Sequence, residues 1–375
     1  MKQMVYADNA ATTKLDIDAF EAMKPYLLGE YGNASQPYSF ARNPKSALKE
    51  ARRIIASCIN ASPEEIYFTS GGTESDNWAI KGVVSLIDTK KHIVTSAFEH
   101  HAVLRSCESI EQLGYSVVYL KPNSQGVITE DTLVSVITPS TGLVSIMMSN
   151  NEIGTIQPIK ALATLAHKNG AVFHTDAVQS VGHIPIDVCD LGIDLLSASA
   201  HKFNGPKGTG FLYKKNGIKI TSFMNGGAQE SGIRAGTENV AAIVGMAVAL
   251  KKNCDNLQAN MKKVRSLEEM LLSLLTNKKI PFVRNGSANT VPGNISISFP
   301  GCEGEVLLHR LDLMGIQVST GSACDSTTTQ ISHVLQAMQI EDEIAKGTIR
   351  ISLCKDNTDK EIQLIANALE KITNG

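Results

Sequence analysis

Short apolar runs alternate with longer stretches of helical spacing along most of this chain. Continuous apolar runs bounded by turn residues predict buried strands, here at 66–69, 92–96, 116–120, 143–149, 171–175, 195–198 and 210–213. Apolar residues at helical spacing predict helices at 44–59, 102–113 and 159–168, and a long helical stretch from 240 to about 275. This alternation favours an α/β fold whose large, mainly parallel sheet is flanked by helices on both faces.

The C-terminal third has a different pattern, which predicts a second, smaller α+β domain. Its candidate strands lie at 294–298, 317–319 and 348–352, and its last helix lies at 360–372. The long helical stretch after Glu238 is placed to bridge the two parts. We therefore predict a large domain at 13–258 and a small domain formed by 1–12 and 259–375.

Composition excludes several classes of protein. The 375 residues include 43% hydrophobic residues, which suffices for a large core, and the formal net charge of -2 gives no basic surface for nucleic acid. The seven cysteines show no paired spacing, so a disulfide framework or a zinc site is not expected. The chain has no apolar signal core and no run that approaches the roughly 18 apolar residues of a membrane-spanning helix. We therefore expect a cytoplasmic protein that does not associate with a membrane.

Lys202 follows the apolar run 194–200 and precedes a loop rich in glycine. A charged amine at the end of a buried strand is costly to desolvate, whereas a neutral amine is a nucleophile that can form a Schiff base. The alternative is a surface lysine that happens to precede a glycine loop. This segment alone leaves both interpretations open.

Asp176 comes directly after the predicted strand 171–175, and Gln179 follows three residues later. A pyridoxal phosphate enzyme needs a carboxylate at the pyridine nitrogen, so that the ring can act as an electron sink. It also needs a donor near the phenolic oxygen, a role that suits Gln179. The alternative for Asp176 alone is a helix N-cap.

A candidate phosphate site lies in the segment IYFTSGGTESDNWAIKG. Here the strand 66–69 leads into Gly71, Gly72 and Thr73, and a helix is predicted at 74–82. Free N–H groups at a helix start bind anions, and glycine lets the backbone approach the phosphate oxygens. Many nucleotide-binding folds share this unit.

Ten segments spread over nearly the whole chain together resemble one family. The chain is similar to the cysteine desulfurases of the NifS/IscS type, in the class V branch of the fold-type I pyridoxal phosphate enzymes. The segments are YADNAATT, GNAS, TSGGTESDN, EHHAV, NNEIGTIQPI, HTDAVQS, SAHKFNGPKG, GGAQESGIRAGTEN, STGSACDS and TIRISL.

The resemblance assigns a role to each matching residue around pyridoxal 5'-phosphate. Lys202 matches the Schiff-base lysine, Asp176 the partner of the pyridine nitrogen and Gln179 the donor to the phenolic oxygen. His100 matches an imidazole that stacks on the ring and assists proton transfer, although a lone histidine is otherwise more often a packed core residue. The matching phosphate ligands are Gly72, Thr73, Ser199 and His201, together with Thr237 donated by the partner of a homodimer.

The resemblance also implies a site for L-cysteine. Asn151 and Arg350 match residues that hold the substrate carboxylate, and Asn9 resembles part of the active-site mouth. A guanidinium suits this task because it binds a carboxylate through two parallel hydrogen bonds. The alternative for Arg350 is a surface arginine on an edge strand.

Cys324 lies in STGSACDSTTT, a run of small and polar residues that predicts a mobile, exposed loop. A cysteine there is expected to be reactive rather than structural. The resemblance implies that its thiolate attacks the substrate sulfur, that alanine leaves, and that the resulting persulfide passes to an acceptor protein. The neighbouring Asp325 should raise the pKa of the Cys324 thiol modestly, unless it caps a short helix.

Other functions and partners remain open at this stage. A class V aminotransferase or a selenocysteine lyase would share the fold, but an aminotransferase needs no thiol such as Cys324. A dinucleotide-binding or scaffold protein could use Gly71 and Gly72, but the chain has no Gly-x-Gly-x-x-Gly run near its start. The family's usual residues are replaced at Tyr38, Ala41, Ser231 and 354–355, which affects partner recognition. The acceptor could serve iron–sulfur cluster, thio-tRNA or cofactor biosynthesis, and the short C-terminus argues weakly against tail-mediated docking to an iron–sulfur scaffold.

Overall fold

The computed structural model describes residues 4–87, 90–320 and 331–374, and these residues form three sheets surrounded by helices. The strands are β1 (Val5–Tyr6), β2 (Ile66–Thr69), β3 (His92–Ser96), β4 (Ser116–Leu120), β5 (Thr141–Ser145), β6 (Val172–Asp176), β7 (Leu195–Ser199), β8 (Gly210–Lys214), β9 (Val283–Arg284), β10 (Asn294–Ser298), β11 (Ile316–Gln317) and β12 (Thr348–Ser352). The helices are α1 (Ile17–Leu28), α2 (Arg42–Cys58), α3 (Gly72–Val84), α4 (His101–Glu111), α5 (Glu130–Val134), α6 (Ile159–Lys168), α7 (Val240–Asp255), α8 (Leu257–Asn277), α9 (Gly304–Leu313), α10 (His333–Ala337), α11 (Asp342–Ala345) and α12 (Asp359–Thr373).

The largest sheet has seven strands in the order β2-β8-β7-β6-β5-β3-β4. Strand β8 runs antiparallel to both of its neighbours, β2 and β7, while β7, β6, β5, β3 and β4 pair in parallel. The mainly parallel sheet predicted from the sequence is therefore confirmed. Its arrangement brings the carboxyl ends of β6 and β7 to the same edge, next to the start of α3.

Both faces of this sheet are buried, which explains why its strands are continuous apolar runs rather than alternating ones. Successive side chains of a strand point to opposite faces. Leu195 accordingly packs into a cluster with Trp78 of α3, and Leu196 into a larger cluster that contains Ile55 of α2 and Leu250 of α7.

A second core lies around a three-stranded antiparallel sheet in the order β12-β10-β9. Helices α8 and α12 pack on it, and Val5 joins the same cluster from the N-terminal segment. Strand β1, which contains Val5, pairs in parallel with β11. The division into domains at 13–258 and at 1–12 with 259–375 stays a prediction. Within the range 259–375, the side chains of Val334 and Leu335 pack into the core of the large sheet.

The helical stretch predicted from 240 to about 275 is formed by two helices. Helix α7 ends at Asp255, Asn256 adopts φ -109° and ψ 13°, and α8 begins at Leu257. Asparagine competes with helical hydrogen bonding and favours such ends, a signal that the uninterrupted apolar spacing concealed. Among the described residues, no helix combines the length and the apolar character needed to cross a membrane.

Candidate active site

A cavity of about 310 Å³ lies at the carboxyl ends of β6 and β7, beside the start of α3. Open α/β sheets bind their ligands at this edge. The structure brings most of the site residues predicted from the sequence to the wall of this one cavity. They are Gly72, Thr73, His100, Asn151, Asp176, Gln179, Ser199, His201, Lys202 and Arg350.

One end of the cavity is built to hold an anion. Gly71 precedes α3 with φ +149°, a conformation that favours glycine, and a Cβ added to Gly72 would lie 2.6 Å from Cγ2 of Val178. The backbone of α3 therefore comes close to the cavity, and the N–H groups of its first turn lack helical partners. The hydroxyls of Thr73 and Ser199 lie at the same end, which gives this end the donor set of a phosphate site.

His201 also lines this end, directly after the buried Ser199 and Ala200. Its Nδ1 lies 3.1 Å from the hydroxyl oxygen of Thr12. Burial, followed by the charge of Lys202, lowers the pKa of His201 to about 4. A neutral imidazole remains there at physiological pH, which can donate one hydrogen bond to an anion.

Lys202 ends a short 3₁₀ turn, Ala200–Lys202, that follows β7 directly. Its Nζ donates to the carbonyl oxygens of Ala10 at 2.5 Å and Ala11 at 2.9 Å. Gln179 Nε2 donates to the same oxygen of Ala10 at 2.9 Å. The N-terminal segment thus lies across the cavity and holds both side chains at its wall, and Lys202 is not the surface lysine that the sequence left open.

Asp176 is the last residue of β6 and is 5% exposed. Its Oδ1 accepts a hydrogen bond of 2.9 Å from the N–H of Val178, so it closes a turn and does not cap a helix. Burial raises the pKa of Asp176, while a proton on His100, the bond from Val178 and the charge of Lys202 act in the opposite direction. The cavity therefore offers a buried carboxyl group, the partner that a protonated pyridine nitrogen requires.

His100 caps α4, because its Nδ1 accepts a hydrogen bond of 3.1 Å from the N–H of Ala102. With Nδ1 as the acceptor, the neutral ring carries its hydrogen on Nε2. Burial lowers the pKa of His100, which the Asp176 charge partly offsets. The ring lines the cavity in its neutral form, which allows it to exchange a proton with a ligand.

Arg350 lies at the centre of β12 and is 5% exposed, so it is not a surface arginine. Its Nη1 donates to the carbonyl oxygen of Asn151 at 2.9 Å, and its Nη2 donates to Asp8 Oδ1 at 2.7 Å. Its Nε is buried and has no hydrogen-bond partner in the structure. The guanidinium is thus fixed at the cavity wall with donor capacity left for a carboxylate.

Two described residues that were predicted for the site are not on the cavity wall, and a third predicted residue lies outside the described part of the chain. Asn9 is half-buried, and its side chain donates to the carbonyl oxygen of Ser352 at 2.9 Å, which attaches the N-terminal segment to β12. Thr237 is exposed on this chain, and its role across a dimer interface stays a prediction. Cys324 lies outside the described residues, as does Asp325.

The sequence analysis missed two buried acids at this site. Asp76 of α3 is 1% exposed and lines the cavity, and Glu99 is 0% exposed behind it. Burial raises the pKa of Glu99 to about 8, although Ser96 and the N–H of Met147 donate to its Oε1. Asp76 stands in the quoted segment TSGGTESDN, but an acid near the start of a helix usually faces solvent, so no signal in the pattern set it apart.

Comparisons with known proteins agree with this geometry. The family model described as aminotransferase class-V matches residues 5–365. A relative named cysteine desulfurase IscS, from Dictyoglomus turgidum, is 46% identical over 374 residues, which cover 99% of this chain and 95% of the relative.

Two solved structures share the fold. A NifS-like protein superimposes with a TM-score of 0.94 at 37% identity, covering 99% of this chain and all of the other. A structure described as SspA in complex with cysteine superimposes with a TM-score of 0.84 at 34% identity, covering 94% of this chain and all of the other.

Proposed function

The chain belongs to the class V aminotransferase family and within it resembles the cysteine desulfurases over nearly its full length, and we propose that it removes sulfur from L-cysteine with pyridoxal 5'-phosphate. One observation carries the proposal more than any other. A single cavity joins a half-buried lysine, a buried carboxylate, a helix start suited to phosphate and a buried arginine suited to a carboxylate.

The residues present fit this cofactor. Gly72, Thr73, Ser199 and His201 would hold the phosphate, at a helix start where a Cβ on Gly72 would not fit. Asp176 would face the ring nitrogen, Gln179 the phenolic oxygen and Lys202 the aldehyde carbon. Bound there, pyridoxal phosphate withdraws electrons from the Cα of an amino acid and makes its hydrogen acidic.

The protein side chains would orient the substrate and move its protons. Arg350 would bind the substrate carboxylate beside Asn151, which directs the amino group and Cα towards Lys202. The Lys202 amine, once free, would take the proton from Cα and return a proton to the product. The Nε2–H of the neutral His100 would donate a hydrogen bond to the substrate and so assist its proton transfers.

Cys324 would complete the reaction by nucleophilic attack on the substrate sulfur. An S–S bond forms to Cys324 as the C–S bond of cysteine breaks, and the electron pair of that bond takes up a proton at Cβ. The sum is L-cysteine plus the Cys324 thiol giving L-alanine plus a Cys324 persulfide, which then passes its sulfur to an acceptor protein.

Cys324→Ala tests this assignment against its alternatives. With pyridoxal phosphate and dithiothreitol, the wild-type protein should release alanine and sulfide from L-cysteine in equal amounts. The Cys324→Ala protein should keep the cofactor absorbance and lose sulfide release. Cys189→Ala is the matched control, because Cys189 is an exposed thiol. Its Sγ donates to the carbonyl oxygen of Asn60. Full sulfide release by Cys324→Ala, or none by Cys189→Ala, would contradict the role of Cys324.

We also propose that the active form is a homodimer in which Thr237 reaches the phosphate of the other subunit. Apolar side chains near α1 support an interface there, since Ile17 is 64%, Leu28 80% and Tyr31 70% exposed. Lys202→Ala and Thr237→Ala chains should each be impaired alone. Mixing them should restore activity, because one site of each mixed dimer combines both native residues. No recovery in mixtures that exchange subunits would exclude this arrangement.

A further inference from the structure

Asp76 is an acid that the chemistry proposed above does not use. It lies one turn into α3, is 1% exposed and lines the cavity. Its Oδ1 is buried and has no hydrogen-bond partner among the residues that the structure describes. A buried carboxyl with an unpaired oxygen is costly to keep, and its position in the cavity suggests a role in binding.

Asp76 faces ionisable groups from two neighbouring segments, strand β6 and the residues just before α4. One carboxylate oxygen of Asp76, one carboxylate oxygen of Asp176 and one ring nitrogen of His100 all lie within 4.8 Å of one another. His174 Nε2 is 3.6 Å from Asp76 Oδ1, and Glu99, when it is ionised, raises the pKa of Asp76 further.

His174 gives Asp76 no positive charge. Its Nδ1 lies 2.8 Å from the hydroxyl oxygen of Ser145, and its Nε2 lies 3.0 Å from that of Ser197. Burial lowers the pKa of His174 to about 3, so this imidazole is neutral at physiological pH.

Two carboxylates this close in a site with little water cannot both ionise without a large cost. The ionised form of Asp176 is stabilised by the N–H of Val178 and by the charge of Lys202. Burial and then the Asp176 charge raise the pKa of Asp76 well above its ordinary range, and Ser197 offsets only part of this. Of the two acids, Asp76 is the one that keeps the proton.

We propose that Asp76 is a positioning residue that stays protonated and leaves Asp176 as the charged carboxylate facing the ring nitrogen. The proposal rests on the proposed function, because that nitrogen belongs to pyridoxal phosphate. A second charge at Asp76 would offer the positive nitrogen a competing partner. A neutral acid fills the same space and leaves one partner.

The protonation state can be tested on the cofactor-free protein by infrared difference spectroscopy at neutral pH. The carbonyl stretch of a protonated carboxylic acid should weaken in Asp76→Asn relative to wild type. Glu99 contributes a second such band, so Glu99→Gln is measured alongside. Asp131→Asn, at an exposed position on α5, is the matched control and should leave the band unchanged. An unchanged band in Asp76→Asn would show that Asp76 is ionised and would overturn the proposal.

Cofactor affinity tests the positioning role. Asp76→Ala should weaken pyridoxal phosphate binding by about tenfold or more, the effect of roughly 1.4 kcal/mol, because water would enter beside Asp176. Asp76→Asn, which is neutral and of the same shape, should recover most of this loss. Equal weakening in both variants, with folded cofactor-free protein by circular dichroism, would overturn the proposal. A wild-type protein that binds no pyridoxal phosphate would instead refute the proposed function, and the infrared result would still decide the charge of Asp76.

Discussion

Replacing Arg350 with lysine is the sharpest test of the substrate end of the cavity. Arg350 uses Nη1 for the carbonyl oxygen of Asn151 and Nη2 for Asp8, and its buried Nε is unpaired. Lysine keeps the positive charge but has a single nitrogen at the end of its chain. It cannot serve Asp8 and also present two parallel donors to a substrate carboxylate.

The size of the effect follows from the hydrogen bonds at stake. A hydrogen bond to a charged group contributes about 1.5–3 kcal/mol, and roughly 1.4 kcal/mol corresponds to a factor of ten. Losing one such bond to the carboxylate should therefore raise the KM for L-cysteine by about 10- to 150-fold. The carboxylate does not change during the reaction, so kcat should fall by less than about threefold.

The assay is alanine release as a function of cysteine concentration, after the cofactor absorbance has confirmed an intact site. Asp8→Asn is the matched control, because it keeps the guanidinium and removes the carboxylate that competes for it. Its KM should fall. A KM for Arg350→Lys within about threefold of wild type, or a loss confined to kcat, would refute the assignment of Arg350 to the substrate carboxylate.

Three further predictions concern other parts of the site. Gly72→Ala should weaken pyridoxal phosphate binding, measured by equilibrium dialysis, by at least about tenfold. The new Cβ would lie 2.6 Å from Cγ2 of Val178 and displace the phosphate-binding backbone. Wild-type affinity would contradict the close approach of this backbone to the phosphate. Glu99→Gln should raise the melting temperature by an amount that grows from pH 5 to pH 8. Burial raises the pKa of Glu99 from its ordinary 4.5 to about 8, so the wild-type protein loses stability over that interval as pH rises, and the variant does not. A difference in melting temperature that does not depend on pH would contradict this prediction. Asp325→Ser should shift persulfide formation on Cys324 to lower pH at low ionic strength without lowering the maximal rate, and an unshifted profile with a lower rate would favour the capping role.

The sequence predicted the elements whose pattern is set by burial on both sides. Five strands have the predicted bounds, because their apolar runs end where the hydrogen-bond ladders of the sheets end. They are the strands 66–69, 92–96, 116–120, 294–298 and 348–352. The predicted strand 143–149 is observed at Thr141–Ser145, although Ile146 and Met148 still donate to the backbone of β6. There the apolar run continues past the end of the regular strand, and the pattern alone cannot separate the two.

The cavity residues were predictable for a different reason. Asp176 follows a predicted strand directly and Lys202 follows the apolar run 194–200 closely, so the topology of a parallel sheet brings both to one edge. Asp76 could not be found in this way, because its burial depends on how α3 packs against the sheet. Asp8 was also missed, since its pairing with Arg350 joins positions 342 residues apart.

The N-terminal segment has a consequence for how the protein is made in the cell. Asp8 leaves the ribosome 342 residues before Arg350, its ion-pair partner. Asn9 likewise leaves 343 residues before Ser352, to whose carbonyl oxygen its side chain donates. Ala10 meanwhile accepts the hydrogen bonds of Lys202 and Gln179. The large sheet can form while translation continues. The cavity, however, cannot close until the ribosome has passed codon 352, so a nascent chain shorter than this should not assemble the site.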